Sequence, residues 1–207
     1  MKSSYGLKLN TVLEKLLPLI PKGKVLDIGA GQGRNSVFLA KNGFKVEAID
    51  FVPEGLKKCQ DFAKKHNLAI KTKVINVKKF KFKENYYSLV VARAILDFFK
   101  KSEIETIIKR IKKSLISDGF IYFLVFSTKD PLYLKIREKG IKEIEENTFY
   151  LPKFETYRHF FTENELKEII KGLKIIYLTQ RRIKDYHDKP HYHNAIEIVA
   201  QKKKATK

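Results

Sequence analysis

The chain has 207 residues, of which 43% are hydrophobic and 12% aromatic; that is apolar material for a sizeable core and excludes wholesale disorder. A single cysteine, Cys59, excludes a disulfide framework or a multi-cysteine zinc module, and the longest apolar run, Phe120 to Phe126, is far below the ~20 residues of a membrane helix. The formal charge of +20 invites a polyanion partner, but the surplus is almost all lysine and lacks the aromatic and Gly-Arg interleaving of RNA platforms. The ten lysines between Lys57 and Lys83 are most simply a solvated exterior, with a nucleic-acid-binding face as the alternative.

Leu9, Val12, Leu13, Leu16, Leu17 and Ile20 recur at helical spacing, so an amphipathic helix precedes the main body. The start, Met1 to Gly6, has no apolar stretch of the kind a cleaved secretion signal needs, and Pro18 and Pro21 interrupt the apolar segment after it; a cytoplasmic protein is expected. Lys24–Ile28 reads as a short buried strand ended by glycines that open a helix from Arg34 to Lys41, which Asn42-Gly43 closes. Val46–Asp50 is a second strand, and Pro53 opens a helix reaching about His66. Ile70–Ile75 and Ser88–Ala92 are the third and fourth strands.

Ser102-Glu103-Ile104-Glu105 has the form of a capping box. Behind it Ile104, Ile107, Ile108, Ile111 and Leu115 draw one helical stripe that stops near Asp118-Gly119. Phe120–Phe126, apolar throughout, reads as a fifth strand covered on both faces. Thr128-Lys129-Asp130-Pro131 marks a loop, followed by a charged helix to about Glu146; Thr162-Glu163-Asn164-Glu165 is a second capping box whose helix ends at Gly172. Leu173–Thr179 and Asn194–Gln201 finish the chain. Strands alternating with helices mean an α/β domain, a parallel sheet with helices on both faces, and the last two strands suggest an antiparallel hairpin at one edge. The domain spans residues 1–201, with 202–207 a frayed basic tail.

The strongest chemical signal is Asp27-Ile28-Gly29-Ala30-Gly31-Gln32-Gly33-Arg34-Asn35-Ser36. Glycines at a strand-to-helix turn let the backbone approach a ligand, and the helix start offers free amides. Asp50 ends the next strand, where a carboxylate can accept both hydroxyls of a ribose; together these indicate a nucleoside-containing cofactor. A dinucleotide fingerprint would want its third glycine where Arg34 stands, five residues after Gly29. Asp27 repels a pyrophosphate but serves a cation, so S-adenosylmethionine fits better, with its sulfonium and ammonium and no phosphate.

These residues resemble the first motif of class I S-adenosylmethionine-dependent methyltransferases, and Ala48-Ile49-Asp50-Phe51 resembles their second. Gly31-Gln32-Gly33-Arg34-Asn35-Ser36-Val37-Phe38-Leu39-Ala40 with Asn42-Gly43-Phe44 is similar to the signature of the tellurite-resistance methyltransferase group. The resemblance implies a single-domain Rossmann-like fold, a seven-stranded mostly parallel sheet with an antiparallel last strand. It also implies a cofactor whose methionine end lies over Gly29, Ala30, Gly31 and Gly33, with Asp27 and Asn35 nearby. Asp50 would take the ribose, Phe51 the adenine face, and Ala92 and Arg93 the sulfonium side. Asn76-Val77 stands where the group usually has an acid for the adenine amino group, and Ser88 where an Asp commonly starts the fourth strand. Residues 1–22, with Tyr5 and Gly6, would form a lid.

On the acceptor side, His187, His191 and His193 cluster near the chain end, and period two puts His191 and His193 on one strand face. They are candidates for orienting or deprotonating a nucleophile, for plain surface placement, or for a metal, the last being disfavoured. Asp97 is a candidate base or helix cap, Arg158 a candidate anion clamp beside His159, and Cys59 reads as structural. The expected activity is methyl transfer to a small molecule: a thiol, a chalcogen oxyanion or a metabolite, leaving S-adenosylhomocysteine. The rivals are an RNA or protein-lysine methyltransferase docking by the basic surface, and a non-catalytic cofactor-binding protein.

Overall fold

The computed structural model describes residues 11–185 and 190–204. Seven strands form one sheet: β1 (Lys24–Ile28), β2 (Lys45–Asp50), β3 (Ile70–Val74), β4 (Tyr87–Arg93), β5 (Leu115–Phe126), β9 (Leu173–Asp185) and β10 (His191–Lys202). Their order is β3-β2-β1-β4-β5-β10-β9, with β1 to β5 mutually parallel and β10 antiparallel to both neighbours. The expected edge hairpin is therefore present, longer than its sequence pattern suggests. Polar residues in the hairpin, among them Gln180, Arg181, His193 and Asn194, mask the apolar alternation that would have extended both strands.

Two cores flank the sheet. On one face Ile104, Ile107, Ile108 and Ile111 of α4 (Lys101–Ser114) pack on Leu26, Val90, Ile121 and Phe123. On the other, α1 (Thr11–Leu16) and α2 (Arg34–Lys41) send Leu13, Phe38 and Leu39 against Val25, Leu89 and Tyr122. Each aliphatic side chain so removed from water contributes about 1.5–3 kcal/mol. The strands of the centre are apolar because both faces are covered. The first helix is shorter than its stripe: α1 ends at Leu16, and Pro18 sits in a 3-10 turn over Leu17–Leu19. Tyr5 and Gly6 lie outside the described residues.

Three boundaries depart from the sequence pattern. Lys100, two residues earlier than the Ser102 box, caps α4: its amide donates to Glu103 Oε2 at 3.1 Å. Ser102 instead gives its amide and hydroxyl to Glu145, each at 2.9 Å. Leu115 belongs to β5 and not to the helix, because a slip in register with β4 between Tyr87 and Leu89 lets the strand start well before Phe120. The charged helix α5 stops at Glu138 instead of Glu146 (Pro131–Glu138), and a small antiparallel sheet follows: β6 (Glu143–Glu145), β7 (Thr148–Leu151) and β8 (Thr156–His159). Asn147 and Glu155, both at positive φ, make its two turns. Glu163–Ile169 forms α6, capped reciprocally by Thr162 and Glu165 as expected. At the chain end, Lys202 is no frayed residue: it pairs with Leu173 and its ammonium reaches Leu115 O at 2.6 Å.

Candidate functional site

β1 ends in the glycine turn at the carboxyl edge of the sheet. Gly33, at φ 84°, precedes α2, and a Cβ there would lie 2.1 Å from Cys59 Sγ, so no other residue fits. This contact explains Cys59: it is buried in α3 (Pro53–Lys65), and burial pushes its thiol up to about 12, which suits packing and not nucleophilic chemistry. Asp50 fastens the turn, its Oδ2 accepting from Gly31 N at 2.8 Å and its Oδ1 from Val52 N at 2.9 Å. Asp27 is sealed behind Ser36, whose hydroxyl donates to it at 2.6 Å. Burial, and then the neighbouring Asp50, push the Asp27 carboxyl up to about 6. Any service Asp27 gives to a cation is thus through its field, not by contact.

Beside this turn opens a cleft of about 230 Å³. One wall holds Gly29, Asp50, Phe51, Asn76 and Val77; the other holds Ile95, Phe98 and Tyr157, the last reaching over from the small sheet. Phe51 is 63% exposed, an aromatic face left open at the rim. Asn76 Oδ1 accepts from Lys78 N at 2.9 Å, which uses one of its two lone pairs. Three carboxylates line the cleft, Asp50, Glu103 and Glu155, against one lysine, Lys78, which is itself paired with Glu103 at 2.7 Å. In a chain of net charge +20 this is an acidic recess. Most lysines between Lys57 and Lys83 are exposed, and a groove lined by Lys24, Lys45, Lys71 and Lys83 lies at the amino edge of the sheet, away from the cleft.

The carboxyl ends of β4 and β5 carry a second polar group. Asp97 is fully buried in a 3-10 turn after β4, and its Oδ1 accepts from Phe126 N at 2.5 Å. It caps no α-helix. Burial drives its carboxyl up to about 7, with Phe126 N and Arg158 opposing. Arg158 reaches in from β8 and lays its guanidinium 3.8 Å over the Phe98 ring; burial lowers its proton affinity. His193 stacks on Phe126 at 4.2 Å and its Nδ1 lies 2.9 Å from Asp130 Oδ2, which also accepts from Asn194 N. His191 and His193 share a face, as their spacing requires, with Nε2 atoms 3.0 Å apart. His187 lies outside the described residues, and among the described ones no group of three or more acids, histidines or cysteines is placed to hold a metal. His159 is buried against Thr148, 2.8 Å away, and Glu165.

The structure thus brings Gly29, Asp50, Phe51, Asn76 and Val77 together, and separately Asp97, Arg158 and His193. Ala92 does not line the cleft: its side chain is sealed in the core, and Ile95 occupies that wall because the chain turns at Ala94, φ 51°. Arg93 points to the opposite face of the sheet, toward the Tyr122 hydroxyl. Ser88 is structural, its hydroxyl donating to Lys24 O at 3.1 Å. Sequence reasoning passed over Asp130 and the buried pair Tyr122 and Glu197, in which Glu197 accepts from Tyr122 at 2.7 Å and, toward the surface, from the exposed Arg181 at 3.0 and 3.1 Å. An acid between Ile196 and Ile198 in an apolar strand was the available signal.

The family described as "Tellurite resistance protein TehB" matches residues 8–135. A Haemophilus influenzae protein named "Probable S-adenosyl-L-methionine-dependent methyltransferase TehB" is 28% identical over 158 residues, 76% of this chain and 48% of that protein. The chain spans about half the length of this protein and of a second Haemophilus influenzae relative of the same name. Among solved structures, an S-adenosylmethionine-dependent methyltransferase from Methanosarcina mazei superimposes with a TM-score of 0.79 at 25% identity, covering 96% of this chain and all of that one. TehB from Haemophilus influenzae gives 0.74 at 23% identity, over 94% of this chain and 63% of the other. No helix among the described residues is long and apolar enough to cross a membrane.

Proposed function

Since the chain belongs to the TehB tellurite-resistance family and has the class I methyltransferase fold, we propose that it transfers a methyl group from S-adenosylmethionine to a small nucleophile. The observation that carries this reading is the acidic cleft beside a glycine turn in an otherwise strongly basic protein. A dinucleotide's pyrophosphate would be repelled by Asp50 and Glu155, Glu103 being neutralised by Lys78, whereas a ligand bearing a sulfonium and an ammonium is attracted. The residues fit that ligand. Asp50 keeps lone pairs beyond those given to Gly31 and Val52, which would accept from the ribose hydroxyls. Phe51 would stack on the adenine, and Asn76 with Val77 would hold its edge. Gly29 to Gly33 offer backbone to the methionine end, and the buried Asp27 adds negative potential behind it.

The bound cofactor supplies an activated methyl group with a good leaving group. The protein's part is alignment of the acceptor with that methyl and exclusion of water. The Asp97–Arg158–His193 group, at the carboxyl ends of β4 and β5, stands where an acceptor would approach, next to the cleft wall formed by Ile95 and Phe98. The test is a labelled-methyl screen against 2-mercaptoethanol, selenite, tellurite and RNA, with S-adenosylhomocysteine affinity measured by calorimetry. Label transfer to a small acceptor supports the proposal. Transfer to RNA alone moves the activity to the basic surface, and binding without transfer to any acceptor leaves a binding protein.

A further inference from the structure

On the acceptor side one atom each of Asp97 and Arg158 is buried with no hydrogen-bond partner among the described residues. Asp97 Oδ2 makes no hydrogen bond although its carboxylate is fully buried, and Arg158 Nη1 makes none although it too is inaccessible. They carry opposite charges and attract each other, yet no ion pair within 4.0 Å closes between them. Buried polar groups are ordinarily satisfied, and a buried charge left unpaired is costly. Oδ2 of the acid and Nη1 of the guanidinium thus keep hydrogen-bonding capacity that a polar occupant between them would meet. The occupant must accept from Arg158 and donate to Asp97.

The position of these two groups links them to methyl transfer. Asp97 sits in the turn Leu96–Phe98, whose neighbours Ile95, Phe98 and Phe99 line the cofactor cleft. Arg158 covers the Phe98 ring at 3.8 Å and stands 5.9 Å from the Phe126 ring. Phe98 therefore stands between the cleft, which it lines, and the Arg158 guanidinium that covers it. The surroundings of the acid and the guanidinium select the nucleophile. An amine arrives at neutral pH as an ammonium and is repelled by Arg158. An acceptor that is already an anion brings no proton for Asp97 Oδ2. A thiol arrives neutral, donates its proton, develops negative charge beside the guanidinium, and places a polarisable sulfur against two aromatic rings.

We propose, resting on the methyltransferase reading, that Asp97 and Arg158 form the acceptor subsite, that the acceptor is a small thiol, and that Asp97 Oδ2 takes its proton. In the step, the thiol sulfur's electron pair forms a bond to the methyl carbon while the bond from that carbon to the sulfonium sulfur breaks. The electrons of the broken bond stay on the departing sulfur, which becomes a neutral thioether. The S–H proton moves to Asp97 and afterwards to solvent. The ionisable groups acting on Asp97 are Arg158 and His159, both from β8. Its proton affinity near pH 7 lies close enough to a thiol's ~8.5 for the transfer to be productive.

The experiment uses the full chain, labelled S-adenosylmethionine and 2-mercaptoethanol, with Asp97→Asn and Arg158→Lys variants. Expected for Asp97→Asn is a fall in kcat/KM for the thiol of about 100-fold or more, with S-adenosylhomocysteine affinity within about twofold of the parent. Arg158→Lys should raise the thiol KM several-fold. The parent's rate should show an acidic limb centred near pH 7 that the Asn variant lacks. A flat parent profile overturns the proposal even if Asp97→Asn does not fold, and so does thiol methylation in that variant close to the parent's rate. Methylation of selenite but not of 2-mercaptoethanol overturns the thiol assignment and leaves the methyltransferase reading standing. Failure to bind S-adenosylhomocysteine strikes that reading itself.

Discussion

Replacing Asp97 by Asn should make the protein more stable at pH 8 and leave it unchanged at pH 4. Burial raises the Asp97 carboxyl from 3.8 to about 7 in the folded chain, so folding holds its proton more tightly than the unfolded chain does. A raised carboxyl is destabilising: below about pH 3 both states are protonated, and the parent loses stability as pH climbs from about 4, where the unfolded chain ionises, to about 7, the loss being complete above that. At about 1.4 kcal/mol per pH unit the interval corresponds to about 4 kcal/mol. Asn keeps the acceptor for Phe126 N and removes the charge, so the variant should gain up to about 4 kcal/mol at pH 8 and less than about 0.5 kcal/mol at pH 4. Urea denaturation at the two pH values measures this. A variant less stable than the parent at pH 8, or a difference equal at both pH values, would refute the reasoning. Lost activity in a more stable variant is what a site held under strain for chemistry gives.

Three further outcomes rest on the same geometry. Asp50→Ala should weaken S-adenosylhomocysteine binding by about 1.5–3 kcal/mol, the worth of hydrogen bonds to a charged acceptor; unchanged affinity by calorimetry counts against the assigned cleft. Gly33→Ala must hold φ 84° and push Cys59 aside, so it should cost about 3 kcal/mol or more; a thermal midpoint equal to the parent's contradicts that close approach. Because burial raises Asp27 to about 6, its negative potential fades as pH drops below that value. Cofactor affinity should then decline by a few-fold between pH 7 and 5, and Asp27→Asn should flatten the dependence; a parallel decline in the variant assigns the effect elsewhere.

The parts of the fold legible in the sequence were those fixed by local chemistry. Lys24–Ile28, the glycine turn and Arg34–Lys41 have their observed bounds because apolar run, glycines and helix opening succeed one another without competition. Thr162 with Glu165 likewise caps locally. Ser102 and Glu105 obeyed the same pattern and lost to a distant partner, since Glu145 comes from 43 residues away along the chain. The small sheet β6–β8 was hidden because its strands are three or four residues long and rich in polar side chains. That concealment reached the site: Tyr157 and Arg158 enter it only through that sheet. On the cofactor side Asp50 was readable from its place at a strand end, whereas the approach of Arg158 to Asp97 depends on tertiary structure that no spacing encodes.

An adenosyl cofactor in the acidic recess at the end of β1 is the central requirement of the proposed chemistry. A crystal structure of the chain grown with S-adenosylhomocysteine tests it most directly. The predicted result is the ribose hydroxyls within hydrogen-bonding distance of the Asp50 carboxylate, the adenine on Phe51 and the amino acid end over Gly29 to Gly33. Electron density for the ligand elsewhere, with Asp50 still bonded only to Gly31 and Val52, would contradict it.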